Sequence, residues 1–172
     1  CVGGLMVFVQ DNRPARQPFL NAPRVVLWLI GVLVAAHVLR LYLPGTGPDE
    51  AIENYALVPA RFAAAMAQGL PRGEIFGLSI SFLSYIFLHG DFTHLGLNSL
   101  WLLVFGPIVA RRLGPAGFLL FFLFCGVAAA LVHLAVYWGS PMAVMGASGG
   151  VSGLMGAGMR IGYGRLFGEA KG

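Results

Sequence analysis

Long, unbroken apolar runs constrain this chain more than any single motif. Residues 25–43, 75–88, about 91–110 and 116–138 are dominated by Val, Leu, Ile, Phe and Ala, and a run rich in small residues extends from 148 to about 161. Several approach the roughly 20 residues a helix needs to cross a bilayer, and they are continuously apolar where barrel strands would alternate. A mean hydropathy of +0.79 with 10% charged residues excludes an ordinary soluble domain. The fold class expected is therefore all-α, a polytopic membrane helical bundle.

The breaks between runs set its organisation. Residues 10–24 are polar, basic and proline-containing, an entry segment and not a packed element. A first spanning helix follows over 25–43. Its length, His37 and Arg40 within it, and the absence of a small-residue cleavage site in the turn Pro44-Gly45-Thr46-Gly47-Pro48 argue against a signal peptide. His37 is expected deep in this helix. Residues 49–73 are mixed in charge and read as a long loop with helical pieces, too long to be idle in a compact bundle. The apolar stretch 75–88 is too short to cross comfortably and suits an interfacial or re-entrant segment.

A second spanning helix should start near Asp91, a capping residue preceded by Gly90, and close at Arg111, Arg112, Gly114 and Pro115. The third covers 116–138, Gly139-Ser140-Pro141 turns the chain, and the fourth begins at Ser148. About four spanning helices are thus expected. The opening Cys1 and the short polar close after Phe167 suggest missing sequence at one or both ends.

Charge placement gives the orientation. With alternating helices, Arg13, Arg16, Arg24, Arg111, Arg112, Arg160, Arg165 and Lys171 fall on one side, against Arg40, Arg61 and Arg72 on the other. The amino terminus, residues 1–24, is then cytoplasmic, and the head of the second helix, the acidic loop and Ser148 meet near the outer face. The basic residues sit at the ends of runs and form no patch, so the net charge of +4 does not indicate nucleic acid. Cys1 and Cys125 supply no framework for disulfides or a metal.

Two groups of residues carry chemistry. In Gly146-Ala147-Ser148-Gly149-Gly150-Val151-Ser152-Gly153 a serine lies among glycines where a helix begins. Unpaired amides of a first turn stabilise negative charge developing beside such a hydroxyl. Small residues four apart (Gly146 with Gly150, Gly149 with Gly153) are equally what membrane helices use to pack closely. Ser152 shares the face of Ser148, with fewer small neighbours and deeper in the helix. Earlier, His89, His94 and Asn98 form His-x-x-x-x-His-x-x-x-Asn. His94 and Asn98, four apart, share a helical face and present donors suited to an oxyanion, whereas His89 falls outside that face and suits a role in holding the loop. Polar residues gathered at one depth favour a functional site over simple helix gluing.

Together, His89-x-x-x-x-His94-x-x-x-Asn98 on one helix and Gly146-Ala147-Ser148-Gly149 opening another resemble the rhomboid family of intramembrane serine proteases. The resemblance implies a rhomboid-like membrane domain over residues 25–172, incomplete at its carboxy end, with six or more spanning helices in the intact protein. It implies Ser148 as nucleophile, His94, Asn98 and the Ser148 amide as oxyanion hole, and His89, Gly146 and Gly149 as structural neighbours. It also implies membrane-protein substrates cut in or beside their transmembrane segments near the outer face, no cofactor and no metal, and a bacterial inner-membrane location. No His-Glu-x-x-His motif is present. The family's general base is a histidine on a later helix, beyond this chain; His133 and His37 are weaker alternatives within it. Members often carry Trp-Arg in the loop where this chain has Ile80-Ser81. One rival is a catalytically silent rhomboid-like protein that binds transmembrane helices. Another is a small transporter subunit, which should show repeat symmetry that the sequence lacks.

Overall fold

The computed structural model describes residues 22–42, 48–69 and 72–168. The amino-terminal entry segment up to residue 21, the turn at 43–47 and residues 169–172 lie outside the described residues, as do the sequence expectations that fall on them. The described chain is helical: α1 Arg24–Tyr42, α2 Pro48–Tyr55, α3 Pro59–Gln68, α4 Arg72–Ser84, a 3-10 turn Tyr85–Phe87, α5 Phe92–Val136 and α6 Ser148–Gly168.

The spacing of the core explains how α1 docks. Val26, Leu29, Leu33, His37 and Arg40 are buried, a stripe at three- and four-residue intervals turned towards the bundle. The rest of α1 is apolar and open, with Trp28 74% exposed. Phe124 at 70% and Leu120 at 68% repeat the pattern on α5. Faces so apolar are stable against lipid and not against water. Among the described residues α1 and α5 are long and apolar enough to cross a membrane, and Ile75–Phe87 is a shorter apolar stretch.

At 45 residues α5 would be about 67 Å long if straight, more than twice a bilayer core. It is not straight. Gly114 has φ 72° and ψ 172°, outside helical geometry, and with Pro115 after it the helix divides into two limbs. The limbs fold against one another, because a Cβ on Gly106 would lie 3.6 Å from the Phe118 ring. The first limb continues past the expected end at 110 to the break itself, and the second ends at Val136 with Tyr137 as its cap.

The helix α6 packs most extensively against α5, and both limbs take part. A Cβ on Gly150 would meet the Phe122 ring at 2.5 Å, one on Gly153 would run into Cys125, and one on Gly158 would reach Phe105 at 3.0 Å. Glycine is needed here for proximity, as in small-residue helix packing elsewhere in membranes. Deep in the bundle, Phe118, Phe122, Leu102 and Leu154 are fully buried.

The long loop is also tied down. Leu57 and Val144 form a lone antiparallel bridge, with N–H to carbonyl distances of 3.1 and 2.8 Å, and the Ala60 amide donates to the Ser140 carbonyl. Its two helices, α2 and α3, thereby brace the segment that leads into α6.

Candidate active site

The head of α5 is fixed by its cap. Asp91 adopts extended backbone geometry and its carboxylate accepts the His94 amide at 2.8 Å. That bond holds the Asp91 carboxyl below its usual range. His94 and Asn98 then fall on successive turns of one face, and Asn98 is buried with its side-chain amide donating to the His94 carbonyl at 3.1 Å.

His89 precedes the helix and is fully buried. Its Nε2 accepts the Ala147 amide at 3.4 Å, and its ring meets His94 edge-on with centroids 5.1 Å apart. Accepting through Nε2 places the proton on Nδ1, which lies towards the Phe87 carbonyl without a full hydrogen bond. Burial, with His94, His37 and Arg40 close by, lowers its pKa to about 4.

Gly146 brings the two motifs together. Its φ of 117° is a conformation side-chain-bearing residues rarely adopt, and a Cβ there would lie 2.7 Å from His94 Cε1 and Nε2 and 3.8 Å from Asn98 Nδ2. The backbone two residues before Ser148 therefore runs directly against the His94 and Asn98 face. Tyr85, which the sequence reading did not single out, fastens the same segment. Its carbonyl accepts the Gly146 amide at 2.8 Å and its hydroxyl donates to the Gly126 carbonyl at 2.6 Å. A phenol inside the apolar stretch 75–88 was the available signal, since a buried tyrosine hydroxyl generally has a partner.

Ser148 is the first residue of α6 and is exposed; among the described residues its hydroxyl makes no hydrogen bond. Gly149 beside it packs on Ala129 and the Tyr85 hydroxyl. Ser152, one turn on, is also exposed on that face. His133 stacks on Tyr137 with centroids 4.5 Å apart, and its buried Nε2 has no partner. His37 is buried within α1, 4.7 Å from Phe92 and 6.4 Å from His89 between ring centroids. Among the described residues no group of three or more His, Cys, Asp or Glu could hold a metal ion.

The arrangement sets a hydroxyl at a helix head beside a glycine backbone faced by an imidazole and a carboxamide. Chemically, a hydroxyl and hydrogen-bond donors so grouped are able to supply a nucleophile and to stabilise an oxyanion.

Comparison with known proteins gives a consistent picture. The chain matches the Rhomboid domain family over residues 77–164. It is 31% identical over 140 residues to the protein named Putative rhomboid protease YdcA of Bacillus subtilis (strain 168). That similarity covers 80% of this chain and 58% of the relative, so the chain spans somewhat over half the relative's length. No solved structure matches it.

Proposed function

Because this chain belongs to the rhomboid family, we propose that it is the greater part of an intramembrane serine endopeptidase that cuts membrane proteins in or beside their transmembrane segments. In this reading Ser148 attacks the scissile carbonyl, and the side chains of His94 and Asn98 with the Ser148 amide take up charge on its oxygen. His89, Gly146 and Gly149 hold the approach to the serine. In this reading a histidine outside this chain serves as general base.

The observation that carries the reading is the fit of Gly146 against His94 and Asn98, which leaves no room for a side chain. We propose further that α1, the two limbs of α5 and α6 make about four crossings of a bacterial inner membrane, with the amino terminus cytoplasmic. Cleavage then falls near the outer face, where water must reach the site. A helical substrate hides its amides, so small or helix-breaking residues near the cut ease local unwinding.

In the full-length protein, Ser148→Ala is expected to abolish cleavage of a transmembrane reporter, while Ser152→Ala retains most of it. Gel-based turnover in liposomes measures both. Full activity in Ser148→Ala removes the assignment. A wild-type protein that binds the reporter and never cuts it points instead to the silent helix-binding relative.

A further inference from the structure

A cavity of about 340 Å³, with neither Ser148 nor His94 nor Asn98 in its lining, opens between the amino-terminal half of α1 and the second limb of α5. Trp28, Leu29 and Val32 of α1 line it with Leu119 and Phe122 of α5, and Phe87 of the 3-10 turn is also in the lining. Arg24, in the first turn of α1, is the one charged residue in this lining and is exposed.

We propose that this groove binds an anionic phospholipid from the leaflet facing the amino end of α1, with its phosphate on Arg24 and one acyl chain running beneath Phe87. Two features select that occupant. From Arg24 to Val32 the groove follows α1 for about 12 Å, within the roughly 15 Å of one leaflet and well short of what a spanning helix covers. The lining is apolar except at its Arg24 end, where a guanidinium matches phosphate oxygens two at a time and Trp28 suits the headgroup boundary. An apolar partner helix, or the apolar face of a second copy, would bring no negative charge to the Arg24 end. The lipid would also support Phe87, which adjoins Tyr85 and Ile86 in the turn that fastens Gly146.

Native mass spectrometry of the full-length protein with phosphatidylglycerol and phosphatidylcholine of identical chains tests this. Phosphatidylglycerol should be retained about fivefold more strongly, the effect of one basic side chain near a charged headgroup. Arg24→Gln should remove that preference and Arg24→Lys keep most of it. Leu119→Trp, which fills the groove from an exposed position, should reduce retention of both lipids. Thermal melting of each variant confirms that it is folded. An unchanged preference in Arg24→Gln, or unchanged retention in Leu119→Trp, overturns the proposal. So does efficient cross-linking of the Leu119→Cys variant through its new thiol to another helix or a second copy in native membranes.

Discussion

At Gly146 one missing side chain decides whether two helices can meet. The residue combines φ of 117° with a Cβ position 2.7 Å from the His94 ring, so any substitution is both strained and blocked. Gly146→Ala is expected to lower activity sharply and to reduce thermal stability by about 1–3 kcal/mol, measured by turnover and melting in detergent. Asn98→Ala should act differently. It removes a donor needed only as charge develops, so kcat should fall roughly ten- to a thousandfold with KM little changed. An unchanged rate takes Asn98 out of the chemistry. The alignment of His94 with Asn98 was legible because helical spacing places residues four apart on one face. Tyr85 was not. Its two bonds go to Gly126 and Gly146, 41 and 61 positions away, and no local pattern announces contacts at that range.

Among the elements, α6 is readable as a packing helix, and its partner is not. Glycines at intervals of three and four indicate a close neighbour, yet only the fold reveals that Gly150 and Gly153 meet the second limb of α5 while Gly158 meets the first. The break between those limbs was legible as Gly114-Pro115, because this pair cannot continue a helix undisturbed. The roles of α2 and α3 were hidden, since the Leu57–Val144 bridge pairs backbone groups and leaves no side-chain signature. Close packing yields a paired expectation. Gly150→Val drives a branched side chain into Phe122 and should cost about 1–3 kcal/mol, seen as a lower melting temperature. Gly77→Ala, on α4 with nothing within 4 Å of its Cβ position, should be neutral or stabilising by up to about 1 kcal/mol. Equal effects from the two would mean that α6 does not sit tightly in the fold of α5.

For the whole molecule, the short path from Tyr85 to His89 is the joint at which the bundle is assembled. Tyr85 reaches the second limb of α5 and the backbone of Gly146, while His89 packs on His37 of α1 and His94 of α5 and accepts the Ala147 amide. That last bond requires a neutral imidazole. Protonating His89 turns its acceptor into a donor facing a donor, and adds charge beside Arg40 in a buried place. The folded pKa is about 4 against an ordinary 6.5, so between those values the unfolded chain binds the additional proton. Stability should therefore be full above about pH 6.5, fall as the pH drops through this window, and level off below about 4. The loss expected from this shift is roughly 3 kcal/mol. Thermal melting of the full-length protein in lipid nanodiscs between pH 7.5 and 4 would measure it. His89→Gln, which cannot take up a proton there, should be less stable at neutral pH and show a flatter profile across the window. If both proteins lose stability in parallel as the pH falls, the acid sensitivity lies elsewhere, and the Ala147 bond is not what His89 contributes to holding α6 against the head of α5.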